Sequence, residues 1–265
     1  MKVKLRRGRI VGLVSLMALG VGLAASAKAQ TSVLIDFGND NSFRGVSVPA
    51  PDQNGNYWNS MVPGLFYVDL VDEDNSATTI DFGFSTPVGT DSFNGPAGAT
   101  SFPDPTPAEI AATDIDEAAL GKLGVKTAAI DFAASPGGVD NRTRFEIQQL
   151  DPTKTYNLTF FGSHKFSDAD TTIYSVYTDN TYTSLVDSAS LNVQTPGMPW
   201  LHNRDTVATL SNLAPQASSI LYVEFVGTNN NLGYLNSLQI TAVPEPSALL
   251  LLVSGVGLVF GFRRR

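Results

Sequence analysis

The chain has 265 residues, 17 of them Lys or Arg and 25 Asp or Glu, giving a formal net charge of −8, and it contains no cysteine. The missing cysteine excludes a thiol nucleophile, a disulfide frame and a cysteine zinc site. The charge is uneven along the chain. Six basic residues lie in 1–29 and three in 244–265, so residues 30–243 keep eight basic and twenty-four acidic side chains, near −16 net. Such a field argues against nucleic acid as a partner and against unassisted docking on anionic lipid.

Residues 1–29 read as a signal peptide. Lys2, Lys4, Arg6, Arg7 and Arg9 form a basic start, 10–25 is apolar, and Ala27-Lys28-Ala29 offers small residues at the −3 and −1 positions of a cleavage site. The 214 residues that follow are enough for one domain with a sizeable core.

That domain opens with a short apolar strand at 32–38, stopped by Gly38-Asn39-Asp40. A long irregular stretch, 39–64, carries Tyr57-Trp58-Asn59 in its middle. The runs 65–71 and 78–84 alternate around Asp72-Glu73-Asp74-Asn75 and predict a hairpin. Thr106 with Glu109 has capping-box spacing and Pro107 stands at the first helical position, predicting a short helix near 107–113, with a further turn or two at 116–123. Beyond it, 127–132, 143–147, 155–162, 171–178, 206–210, 219–227 and 233–241 are rich in Thr, Tyr, Phe, Val and Ile and predict strands. In 219–227, Leu221, Val223 and Phe225 face one way, Tyr222 and Glu224 the other. About ten strands with these turns predict a mainly β domain, an antiparallel jelly-roll β-sandwich with one or two short helices.

The last 22 residues differ in kind. Pro244-Glu245-Pro246 holds the chain extended. Residues 248–262 are uncharged, and ten of these fifteen are Leu, Val or Phe, predicting a short transmembrane helix. Arg263, Arg264 and Arg265 place its end on the cytoplasmic side. This arrangement resembles the PEP-CTERM sorting signal of Gram-negative bacteria. The resemblance implies recognition by an exosortase-type membrane protease, transient residence in the inner membrane through 248–262, and delivery to the cell surface or extracellular matrix of exopolysaccharide-producing cells. Residues 30–243 are then the passenger of a three-part chain: signal peptide 1–29, domain 30–243, sorting tail 244–265.

The passenger itself, through Ile35-Asp36-Phe37-Gly38, Tyr57-Trp58-Asn59, the run from Leu150 to Ser163, and Gly233-Tyr234-Leu235-Asn236, resembles galactose-binding-like β-sandwich modules found beside carbohydrate-active enzymes. The resemblance implies sugar binding. Two loops carry residues suited to it, an aromatic ring to stack and polar groups to hold hydroxyls: Tyr57, Trp58 and Asn59 in the first, Trp200, Asn203 and Arg204 in the second. The alternative for each tryptophan is a plug at the end of the domain.

Catalysis has little to build on. The two histidines are His164 and His202, no G-x-S-x-G elbow is present, and no carboxylate pair stands out on a patterned strand. The expectation is no enzyme and no cofactor beyond a structural Ca²⁺, with Asp72, Asp74, Asp168 and Asp170 as hard oxygen ligands on loops. The sequence thus predicts a non-catalytic exported protein, adhesive or carbohydrate-binding, with extracellular polysaccharide as partner. A purely structural matrix protein without a small ligand is the alternative, and an extracellular hydrolase the third reading.

Overall fold

A computed structural model of the chain describes residues 30–42, 44–88, 105–136, 142–165, 171–194, 202–216 and 218–243. It is mainly β, with antiparallel pairing nearly throughout and few helices. The expected signal peptide and sorting tail, with Pro244, Glu245, Pro246 and the terminal arginines, lie outside the described residues. Among those described, no helix is long and apolar enough to cross a membrane.

The first sheet has five strands. They are β1 (Ser32–Asp36), β2 (Asn59–Ser60), β7 (Thr155–Phe161), β10 (Ala208–Leu213) and β13 (Ser237–Val243), in the order β10-β7-β13-β1-β2. Only the short β1–β2 pairing in it is parallel. The second sheet has six, in the order β3-β4-β6-β11-β8-β9: β3 (Phe66–Tyr67), β4 (Asp81–Phe84), β6 (Thr143–Gln148), β8 (Thr171–Tyr177), β9 (Leu185–Asn192) and β11 (Leu221–Gly227). A two-stranded piece, β5 (Ala133–Ala134) with β12 (Tyr234–Leu235), completes the strands described.

Alternation explains how the two sheets meet. Phe145 and Ile147 on β6, with Leu221, Val223 and Phe225 on β11, share one apolar cluster with Val33, Ile35, Tyr156, Leu158 and Phe160 of the first sheet. At about 25 cal/mol per Å², such burial is the main term holding the sheets together.

The opposite face of β1 is covered too. Helices α1 (Pro107–Ala111), α2 (Glu117–Leu120) and α3 (Lys126–Ile130), with a 3₁₀ turn at Gly121–Leu123, lie in the segment that packs there. Leu34 and Phe161 join Leu120, Leu123, Val125, Ala128 and Ala129 in a second cluster. The expected capping box forms: Thr106 Oγ1 accepts the Glu109 amide and the Glu109 carboxylate accepts the Thr106 amide, worth about 1 kcal/mol. Asp116 caps α2 through the amides of Ala118 and Ala119.

One expectation is corrected. Residues 127–132 are not a strand; most of them belong to α3. The Ala128-Ala129 pair is small enough to bury against the first sheet and has high helix propensity, so packing outweighs the β-branched residues beside it. Conversely β9 and β2, absent from the sequence reading, are strands.

Candidate functional site: the open face of the six-stranded sheet

Among the described residues, no helix packs on the outer face of the second sheet, whose side chains are mostly half-buried. Its register aligns one rung across all six strands. Phe66 pairs with Gly83, Gly83 with Glu146, Glu146 with Tyr222, Tyr222 with Tyr177, and Tyr177 with Leu185 after a bulge. Directly paired residues share a face, so these side chains form one line. At about 4.8 Å between strands the line is about 24 Å long. Gly83 matters because a Cβ there would collide with the Phe66 ring, which lies over it. Phe66 and Leu185 end the rung at its two edges and are 54% and 56% exposed.

The next rung is polar. Arg144 pairs with Glu224, and Glu224 with Ser175. Although Glu224 faces outward it is only 2% exposed, because its partners enclose it. Arg142 Nη1 donates to Oε1 at 2.6 Å, Arg144 Nε to Oε2 at 2.8 Å, and the Tyr177 hydroxyl to Oε1 at 3.2 Å. Burial, then the Glu224 charge, raises the Tyr177 pKa, so that hydroxyl stays a donor. Tyr182, in the turn between β8 and β9, lies over both rungs. Its ring is 5.4 Å from Tyr177 and 6.1 Å from Tyr222, with the Arg144 guanidinium 4.1 Å from its centre. Its hydroxyl meets Ser85 Oγ at 3.2 Å. Two arginines set against Glu146 and Glu224 leave the middle of this face balanced in charge, within a strongly acidic domain.

The residues singled out from sequence sit elsewhere, and the structure divides them. Trp58 is 6% exposed, packs in the second cluster, and donates through Nε1 to Asp52 Oδ2 at 2.9 Å. Tyr57 beside it is half-buried. Asn59 is a clasp: Nδ2 donates to the carbonyls of Leu34 and Val71, and Oδ1 accepts the Val71 amide. Trp200 lies outside the described residues. Asn203 and Arg204 do line one pocket, of about 350 Å³, with Asn192, Gln194, His202 and Asp205. There Asn203 is already committed to the carbonyls of Gly162 and Thr206, and Arg204 is paired with Asp114 at 2.8 Å.

The calcium candidates fare similarly. Asp72 Oδ1 accepts the amides of Asp74 and Ser76, which shapes the hairpin turn, and Asp74 is exposed. Asp168 and Asp170 lie outside the described residues. Among the described residues, no three acidic or histidine side chains are grouped to hold a metal. Of the histidines, His164 is buried and stacked on Tyr234 at 4.1 Å, and His202 Nε2 lies 3.0 Å from the Asp114 carbonyl.

No protein-family model matches the chain, and neither does any curated protein. Its resemblance to solved structures is distant, as three of them show. The enzymatically active domain of bacteriophage CBA120 tailspike protein 4 is 14% identical, with a TM-score of 0.30, over 61% of this chain and 19% of that one. The CBM22-1–GH10 modules of Clostridium thermocellum endo-1,4-beta-D-xylanase 10B, complexed with xylohexaose, are 13% identical, with a TM-score of 0.28, over 50% and 24%. An arabinose-bound alpha-L-arabinofuranosidase is 11% identical, with a TM-score of 0.30, over 60% and 23%. The chain thus spans at most 24% of the length of each.

Proposed function

We propose that this is a non-catalytic, exported β-sandwich of jelly-roll type, carried to the cell surface or matrix by its PEP-CTERM-like tail, and that it binds extracellular carbohydrate on the open face of the six-stranded sheet. The observation that carries the reading is the Phe66-to-Leu185 rung, with Tyr222 and Tyr177 side by side in it. Tyrosine rings offer apolar faces for sugar C–H surfaces, and the accessible parts of Arg142 and Arg144 beside them, 43% and 32% exposed, suit sugar hydroxyls. Balanced charge favours a neutral polysaccharide. A length of about 24 Å suits an extended chain of several sugars rather than a single ring.

The test is a glycan array probed with residues 30–243, followed by titration of any hit. Tyr222→Ala should weaken binding about tenfold, the equivalent of about 1.4 kcal/mol, while Arg204→Ala leaves it unchanged. If Tyr222→Ala has no effect and Arg204→Ala abolishes binding, the ligand belongs in the pocket instead. For the tail, replacing Pro244-Glu245-Pro246 by alanines should leave the full-length protein in the membrane fraction of an exosortase-bearing host. Unaltered release would refute the sorting role.

A structural matrix protein is the second reading, and one observation favours it. Leu65, Phe66 and Val68 are exposed at one edge of the six-stranded sheet, and Leu185 and Val186 at the other. Exposed apolar edges promote association between copies. Concentration-dependent assembly without any glycan would select this reading.

A further inference from the structure

Asp36 ends β1, and Asp131 follows α3. Both carboxyls are entirely buried. Asp131 Oδ2 accepts the Val46 amide at 2.9 Å, but among the described residues Asp131 Oδ1 and both oxygens of Asp36 have no hydrogen-bond partner. The Ser60 hydroxyl and the Val48 amide flank Asp36, yet that amide is already donated to Ser60 Oγ at 3.0 Å. A third carboxylate, Asp40, whose Oδ1 accepts the Ser47 amide, adds a smaller repulsion on Asp131. Two ionised carboxylates cannot persist side by side under these conditions. One proton placed between them would give an oxygen of each a hydrogen bond.

We propose that Asp36 and Asp131 share one proton, and that this proton is a pH-sensitive latch fastening the end of β1 and the residues that follow, 37–42 and 44–48, to the end of α3. The segment is tied to the pair from several sides. Val46 donates to Asp131, Gly38 packs so closely on that carboxyl that a Cβ would collide with it, and the Phe37 amide donates to the Asn236 carbonyl. Asn236 Nδ2 in turn holds the carbonyls of Ala129 and Asp131. The proton resides on Asp36 and is donated to Asp131.

Burial raises both pKa values, Asp131 to about 7 and Asp36 well above the usual carboxylate range. Groups raised on folding stabilise the fold fully below their unfolded pKa, about 3.9. That contribution fades as pH rises, first through about 7, where Asp131 ionises, and then through the higher value of Asp36, where the shared proton itself is lost. Losing the shared proton puts a second charge beside the first; the Val46 amide favours an ionised Asp131, so the repulsion is felt on the Asp36 side, where the chain leaves β1.

The test is thermal unfolding of the leader-free chain from about pH 5 to about pH 10, with amide exchange at Phe37. The melting temperature of the unmodified protein should fall above about pH 7 and go on falling as Asp36 ionises, and Phe37 exchange should accelerate beyond the pH dependence of free amides. Asp36→Asn supplies a permanent N–H to Asp131 and removes the second charge, so its profile should be shallower in that range. A flat wild-type profile, or an unchanged slope in Asp36→Asn, overturns the latch. So does a loss at high pH that Ca²⁺ reverses and chelator restores, which would mean a bound cation. Should Asp36→Asn not fold, infrared spectroscopy of the unmodified protein decides: a buried protonated-carboxyl band at neutral pH supports the latch, and its absence overturns it.

Discussion

Glu224 offers the sharpest test of how the open face is held together. Its carboxylate is 2% exposed, whereas the side chains of Arg142 and Arg144 are 43% and 32% exposed. The anion is therefore the desolvated partner and the arginines are the replaceable ones. Arg142→Ala or Arg144→Ala alone removes one charged hydrogen bond, at a cost of about 1–2 kcal/mol after allowing for solvent screening of the arginine. Removing both leaves a buried carboxylate with the Tyr177 hydroxyl as its remaining donor, and the cost should rise to about 3–5 kcal/mol. With a urea slope of about 2 kcal/mol per M, the double variant should unfold about 2 M earlier than the parent. Adding Glu224→Gln to the double variant should recover part of the loss, because the amide carries no charge to strand. The measurement is a urea titration at neutral pH read by circular dichroism. Additive losses totalling less than about 1 kcal/mol, with no recovery from Glu224→Gln, would refute the reasoning.

Two further expectations concern groups buried near the loop end. Burial, helped by His202, lowers the His164 pKa to about 4, so the folded state disfavours the charged ring. Stability tied to it is complete above about pH 6.5 and is lost as pH falls toward 4, by at most about 3 kcal/mol. A His164→Phe variant should unfold with a shallower acid dependence, and an unchanged one would count against the assignment. Lys165 is 2% exposed, and among the described residues its ammonium has no hydrogen-bond partner. Burial lowers its pKa to about 8, with Asp114 opposing and Arg204 assisting. Lys165→Met should therefore stabilise the protein by about 1–3 kcal/mol, seen as a higher melting temperature; a lower one would show the charge to be useful.

How much of this the sequence showed depends on whether the deciding interaction is local. Thr106, Pro107 and Glu109 specify a helix start within four residues, and the start is there. The alternation of Leu221, Val223 and Phe225 against Tyr222 and Glu224 sorted one strand's faces correctly. The segment 127–132 was misread because Thr, Ile and Phe suggest a strand, while the Ala128-Ala129 pair is decided by a sheet encoded far away. Strand β9 was invisible because Leu185-Val186-Asp187-Ser188 lies at an edge and has little buried alternation to display. The aromatic rung could not be read at all. Phe66, Glu146, Tyr177 and Tyr222 come into one line only through the register of four separate pairings. Trp58 stands in a long loop beside Tyr57 and Asn59, but that setting does not distinguish a ring that stacks on a ligand from one that seals the layer beneath the helices.

Strand β13 runs between β7 and β1, with seven paired positions on one side and five on the other, and Ser32 lies opposite Thr241. The domain's first and last strands are thus neighbours, and a tether attached beyond Val243 departs from beside the point where the chain enters. Tension along that tether acts parallel to β13. It would load both ladders in shear, so their hydrogen bonds must yield together rather than one after another. A domain strung between a surface and a polymer would resist drag through that geometry, while its six-stranded face stayed free to hold the other end of the line.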